Sequence, residues 1–596
     1  MQAPASSRAP WRRALATLFA AGLLVAACGG SDDNDDDGAA DGGSGTTSGE
    51  VGGDITAPPD DTAEPVRGGT LTYAVEADTL NGWLPSAMLC AAACHSTVGR
   101  TIFEPLTVVA DDGEVYPYLL ESVEPNEDAT VWTLTTREGI NFHDGTLLDA
   151  EAIVLNLEKN RTGSLLVDAL APIDTITATD ARTVTITTLE PWPAFAIALS
   201  GQFGYMGSPT WINAVEGDPS LASQPVGTGP FSFTGYEPGG FLTAERFEGY
   251  WRGDEGLPTS LTGEGLPYLD GIEVRFIESS DDRSSAVSSG DLDLIQTANG
   301  VEIAALSEED GLVSDVLDNE YEIETAYLLI NNLPEVDGQP NPFANEEVRR
   351  ALALATDNSV LQSARTADLF PVANGPYPPG VDGYLDDTGF PQFDLAAATA
   401  LVEEIEAESG PITIRYKTTN DPFNSDTATL LQQMWEAAGF DVEIDTTAQG
   451  DFIGQAIAGN FQVFGWRNHA GIDPDQQYVW WHSSISGLPT SRGLALNFGR
   501  IRDDEVDRLL GVIRSSTDDD ERRTAAEDLN RYMGEHVFNV WNNWVYWSLV
   551  HAENVHGVVG ISIPGPDGVP LEGVRGINMG ANLPGIIIPT ETFITE

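Results

Sequence analysis

The chain runs to 596 residues yet has only two lysines, Lys159 and Lys417, and 28 cationic side chains in all against 93 Asp and Glu, a formal net charge of −65. So acidic a surface repels nucleic acid and anionic lipid headgroups, and it excludes a protein that works by gripping phosphate backbones. Signature motifs of catalysis are also missing. No G-x-S-x-G, no H-E-x-x-H and no P-loop occurs, which removes the usual marks of a serine hydrolase, a zinc protease or a nucleotide hydrolase. A carboxylate pair remains available on paper in so acidic a chain, so a hydrolase stays a rival reading. Long apolar runs are scarce too. The run from Ala14 to Ala27 is too short for a stable bilayer-spanning helix, which needs about 20 residues.

That run sits in an informative place. Arg8, Arg12 and Arg13 precede it, Leu24-Val25-Ala26-Ala27 closes it, and Cys28 followed by Gly29-Gly30 comes next. Its length and flanks suit a secretory signal peptide over residues 1–27. The small-residue run ending at a lone cysteine resembles the bacterial lipoprotein signal, in which the cysteine is acylated and becomes the first residue. The implied protein is exported and lipid-anchored at Cys28 on the outer face of the cell membrane. Stable anchoring then needs more than one acyl chain, since a single chain binds only marginally. Val25-x-Ala27 also satisfies an ordinary signal peptidase, so plain secretion is the alternative. Removing residues 1–27 deletes three arginines and no acids, leaving 25 cations against 93 acids.

Residues 29–65 are mostly Asp, Gly, Ser, Thr and Pro, with almost nothing to bury, and read as a disordered acidic tether of roughly 30–36 Å reach. Cys90 and Cys94 are left as a pair in an exported chain, where disulfides persist, and read as a disulfide candidate. The alternative is a metal site of Cys90, Cys94 and His95, but no second ligand cluster accompanies it.

Beyond the tether, strand and helix patterns alternate. Leu71, Tyr73 and Val75 alternate with polar residues, as do Val184 and Ile186, then Ile272, Val274 and Phe276, then Ile412 and Ile414, then Val442 and Ile444; period-two alternation predicts strands. Between them, helices are predicted from Asp149 to about Asn160, after Asn345, from Asp394 to near Gly410, and ending at Gly439. This is the pattern of an α/β protein whose sheets are covered by helices.

A series of blocks then carries a resemblance: Gly68-Gly69-Thr70-Leu71-Thr72-Tyr73 with Thr79-Leu80-Asn81; Glu104-Pro105-Leu106; Trp132-Thr133-Leu134, Arg137-Glu138-Gly139-Ile140 and Phe142-His143-Asp144-Gly145; Pro225 to Phe231; Tyr250-Trp251-Arg252-Gly253, Leu269-Asp270-Gly271-Ile272 and Gly290-Asp291-Leu292-Asp293; and Pro342-Phe343, Val348 to Leu352 and Ala355-Thr356-Asp357. In this order the chain resembles the extracytoplasmic solute-binding proteins of ABC importers, family 5, which includes oligopeptide-, dipeptide- and nickel-binding lipoproteins. The resemblance implies a bilobed periplasmic-binding-protein fold of the class II type with an additional third domain. Lobe I would comprise 66–97, 227–325 and 541–596, the extra domain 98–226, and lobe II 326–540. On local chemistry His143 reads as a structural hydrogen-bonder in an Asp-Gly turn, and Arg349 as paired with a carboxylate inside a domain.

The resemblance also implies a ligand cleft between lobes. Dipeptide-type members follow a Gly-Trp tract with an acid that grips the peptide's amino end. Here Gly465-Trp466 is followed by Arg467, Asn468 and His469. Those members also carry an arginine before Pro-aromatic-Asn that pairs with the peptide carboxylate, whereas here Asp421 precedes Pro422-Phe423-Asn424. Both charged grips are altered, which disfavours a free dipeptide and points to a longer or capped peptide, a cationic peptide, an oligosaccharide or a metal–chelator complex. The candidate ligand residues are Asp421, Phe423, Trp466, Arg467, Asn468, His469 and Trp83, with the Met88–His95 loop facing the ligand from lobe I. No catalytic residue, resident metal or cofactor is implied. The expected partners are a peptide or other small solute, an ABC permease with its ATPase, and the membrane through the lipid, with the chain itself a monomer. A sensory receptor without transport is the second rival.

Overall fold

The computed structural model describes residues 63–596 apart from 80, 90–91, 110–112, 164–166, 254–264, 318–322, 470, 488–495, 559–560, 565–569 and 575–584. All the predicted strands but the one at Val184 and Ile186 form in two large sheets. The first has seven strands in the order Leu312–Leu317, Trp547–Ala552, Leu294–Thr297, Thr70–Val75, Gly271–Phe276, Phe241–Arg246 and Phe231–Glu237. Thr70–Val75 runs parallel to both Gly271–Phe276 and Leu294–Thr297. The second sheet has five strands in the order Asp441–Thr447, Thr413–Thr419, Val463–His469, Glu324–Ile330 and Val540–Val545. Its first three are mutually parallel.

Local chemistry sets the helices that cover these sheets. Asp149 accepts the Ala152 N–H and starts Ala150–Arg161. Asn345 accepts the Glu347 N–H and starts Glu346–Ala355. Asp394 accepts the Ala397 N–H and starts Leu395–Ser409. Each cap satisfies an N–H that the helix leaves open, worth about 1 kcal/mol. The Leu395–Ser409 helix stops at Gly410, whose φ of 85° a side chain would strain.

The extra domain has a four-stranded antiparallel sheet in the order Leu120–Pro125, Val131–Thr136, Thr183–Thr188 and Ile173–Ala178. Trp132, Leu134, Val184 and Ile186 point inward from it, and their core also contains Tyr250, Trp251, Ile586 and Ile588 from first-lobe segments. Other parts of the expected 98–226 domain, Val98, Ile102, Phe103 and Trp211, pack in the core of Leu71, Tyr73 and Val274. The extra domain is therefore joined to the first lobe by continuous packing. The expected return to lobe I at residue 541 needs correction. Val540–Val545 pairs with Glu324–Ile330 in the second sheet, and the return starts at Trp547.

Two small motifs hold the crossing segments. His143 Nε2 lies 2.9 Å from the Gly229 carbonyl, and its Nδ1 accepts the Gly227 N–H at 3.3 Å, so the histidine has the structural role read from its turn. Arg349 differs from expectation. It donates to the carbonyls of Phe343, His536 and Val537 at 2.8–3.0 Å. It sits where Asp519–His536 ends and leaves carbonyls without helical partners, which a guanidinium satisfies as well as a carboxylate would satisfy it.

Candidate functional site

The strand directions locate the site. In the first sheet the parallel strands end at Val75, Phe276 and Thr297, and Leu317 and Trp547 lie at that same edge because their strands run in register with it. In the second sheet the parallel strands end at Thr419, Thr447 and His469, and Glu324 and Val545 lie beside His469. The chain crosses between sheets from Leu317 to Glu324 and from Val545 to Trp547. Both sheets thus direct their carboxyl edges at the two crossovers, and α/β sheets bind ligands in the crevice outside those edges.

The floor of the crevice joins the lobes. Trp547 Nε1, from the first sheet, donates to Glu324 Oε2 at 2.9 Å. Arg467 Nε, from the second, stands 3.5 Å from the same oxygen, and its guanidinium lies 5.0 Å from the Trp547 ring centre. Nearby, Gly300 at the start of Gly300–Ser307 fits against the backbone of Thr366, where any side chain would collide. Ile303 and Val316 of the first lobe share a small core with Phe370 and Val545 of the second.

Charged side chains of the two lobes lie within electrostatic reach of one another here. Arg283, buried in the helix Ser280–Ser288, donates to the carbonyls of Ile277 and Glu278. Burial pulls its guanidinium below the ordinary value, opposed by Glu76, Glu302 and Asp421 and reinforced by Arg467. Asp421 and Arg467 belong to the other lobe. Arg365, on the second lobe's Asn358–Thr366 helix, lies 4.1 Å over the Phe423 ring and donates to the Thr427 hydroxyl and, at 3.4 Å, to Asn424 Oδ1. Burial pulls it down to about 10, with Tyr416 and Asp421 opposing and Arg467 adding.

The residues singled out in the sequence divide. Asp421 and Phe423 lie at this crevice, but Pro422–Ala437 is a helix and Asp421 is its cap, accepting the Asn424 N–H at 3.2 Å. Arg467 is in the floor. Asn468 is buried at the crevice end of its strand. Its Oδ1 accepts from Trp466 Nε1 at 3.0 Å, and its Nδ2 has no partner among the described residues. Trp466 leans on Phe452, Phe464 and Phe498, as part of the second lobe's packing. His469 closes the strand opposite Glu324; its side chain lies outside the described residues. Trp83 is fully buried between Tyr236 and Phe276, and Met88 is buried in the same core. Both pack in the first-lobe core, Trp83 against Phe276 at the carboxyl edge of the sheet. Cys94 is disulfide-bonded, while Cys28 and Cys90 lie outside the described residues. His95 turns its Nδ1 to the Tyr205 hydroxyl, and no cluster of three metal-ligating side chains occurs among the described residues. Sequence reasoning missed Arg283, Arg365, Glu302 and Glu324. Arginines are so few here that the place of Arg283, in the helix after the strand end at Phe276, was the available signal.

Residues 114–487, more than half of the chain, match the bacterial extracellular solute-binding proteins, family 5, and the chain belongs to that family. A glutathione-binding protein of Pectobacterium atrosepticum, GsiB, is 24% identical over 359 residues, covering 59% of this chain and 65% of the relative, so the match spans less than two thirds of that protein. The fold is that of a periplasmic binding protein, DppA of Helicobacter pylori, solved with the peptide STSA (TM-score 0.74, 20% identity, covering 89% of this chain and 99% of that one). It is also that of AgaA of A. tumefaciens, solved with agropinic acid (TM-score 0.73, 22% identity, 89% and 99%).

Proposed function

We propose that this protein is the solute-binding component of an ABC importer, capturing a peptide or peptide-like solute in the crevice and delivering it unaltered to a membrane permease. The observation that carries this reading is the meeting of two sheet carboxyl edges at a doubly crossed connection, with Arg283 on one side within electrostatic reach of Asp421 and Arg467 on the other. Closing such a crevice expels water and strengthens every polar contact inside. In this reading Cys28 carries lipid, residues 29–65 give the binding body reach, and the acidic surface keeps it soluble near its permease. Family membership and peptide- and glutathione-binding relatives support it. Native mass spectrometry of purified residues 66–596 tests it. One small molecule per chain is expected, released intact on denaturation; recovery of a processed product, or no binding from a peptide panel, overturns it.

A further inference from the structure

Arg365 is the cation at the crevice that packing explains least. Arg349 spends its donors on three backbone carbonyls, and Arg500 on those of Ile457 and Asn497. Both are held by backbone carbonyls of the chain itself. Arg365 has no carbonyl partner and no carboxylate within ion-pair distance among the described residues. It touches one hydroxyl, one amide oxygen at 3.4 Å and the face of Phe423. Acids are not in short supply, since 93 stand against 28 cations. The nearest candidate, Asp421, is engaged in capping its own helix.

The neutral contacts hold the guanidinium in place without neutralising it. Stacking on Phe423 fixes its plane, and Thr427 and Asn424 fix its rotation, leaving a planar fork of donors suited to bidentate pairing with a carboxylate. Other unmet polar groups at this edge are also donors. Among the described residues Asn468 Nδ2 has no acceptor, because Trp466 fixes the amide the other way round, and Arg283 Nε has none either. A buried donor left unmet is costly, so a site with several of them favours an acceptor-rich guest.

We infer that Arg365 is the specificity-determining residue for a solute bearing a carboxylate, with Asn468 and Arg283 adding donors to the same oxygen-rich guest. This rests on the importer reading above and names the substrate class of its crevice.

The test uses residues 66–596 and four probes in matched pairs: glutathione and its diethyl ester, and tri-alanine with a free carboxylate and as its C-terminal amide. Calorimetric titration measures each. At least one free acid is expected to bind ten- to a hundredfold tighter than its blocked partner, and Arg365→Gln is expected to bring that ratio close to one while Arg365→Lys keeps part of it. Thermal unfolding of the variants establishes that both fold. Blocked and free forms binding alike, a ratio unchanged in Arg365→Gln, or a co-purified solute without a carboxylate overturns the assignment while leaving the importer reading intact. Binding of no probe together with no co-purified solute removes the importer reading, and this assignment with it.

Discussion

At the scale of single residues, His143 shows how one protonation state can be built into a fold. Its Nδ1 accepts from one backbone N–H, its Nε2 donates to a carbonyl, and its ring meets Phe247 edge-on. A proton on Nδ1 would face the Gly227 N–H. Burial pushes the imidazole down to about 4, against weaker opposing effects of the Gly229 carbonyl and Asp144. The folded state thus binds fewer protons than the unfolded chain between an ordinary value near 6.5 and about 4. The stabilisation is complete above the upper value, falls as pH drops through that window, and levels off below it. It amounts to about 3 kcal/mol over the window. His143→Gln should cost about 1–2 kcal/mol at pH 7, and because only the wild type loses about 3 kcal/mol over the window, the gap should close and then reverse as pH falls toward 4. Urea unfolding of both proteins at several pH values measures this; a constant gap would show that the histidine does not titrate there.

At the scale of elements, the helix Pro422–Ala437 separates what one acid does for folding from what it does at the crevice. Asp421 caps it, and the same carboxylate lies within electrostatic reach of Arg283 and Arg365. Asparagine caps as well as aspartate, and alanine does not. Asp421→Asn should therefore leave thermal stability within a few tenths of a kcal/mol, whereas Asp421→Ala should lose about 1 kcal/mol. Any effect common to both on solute affinity belongs to the charge. Equal stabilities for the two variants would sink the capping role. This helix also marks where the sequence stopped being readable. Caps such as Asp149, Asn345 and Asp394 were legible because partner and cap lie within three residues of each other. So were the strands, whose alternation is local. Asp421 carried no such mark, because the Pro422 and Asn424 that follow it are also turn-forming residues, yet proline suits the first helical turn. Arg365 was not legible at all, since its place over Phe423 depends on packing between helices 59 to 62 residues apart.

At the scale of the whole molecule, the extra domain touches the second lobe, and in the importer reading that contact would oppose opening. It is packed onto the first lobe, because Trp132 and Phe195 share a core with Tyr250, Trp251, Ile586 and Ile588. From it Trp192 Nε1 donates to Asp475 Oδ2 at 2.8 Å across 283 residues of sequence, and the Ala169 carbonyl accepts from Arg514 Nη1 at 3.3 Å. Asp475 and Arg514, both of the second lobe, pair at 2.7 Å with side chains only 6% and 4% exposed. The Arg514 guanidinium sits 3.6 Å from the Tyr478 ring and 4.8 Å from that of Trp192. A buried ion pair recovers its lost hydration only when further hydrogen bonds complete it, and here two of those come from the opposite body. Opening would withdraw them and admit water to the pair. Trp192→Phe keeps the ring and deletes the N–H. Loss of a hydrogen bond to a charged group is worth about 1.5–3 kcal/mol, so the closed form should be disfavoured about ten- to a hundredfold. Because the exposed pair rehydrates on opening, the cost should fall on closure rather than on folding. Fluorescence energy transfer between dyes on the extra domain and the second lobe should report a larger open fraction, with the melting temperature nearly unchanged. A lowered melting temperature with an unaltered open fraction would mean that this contact belongs to a rigid body instead of a closing surface.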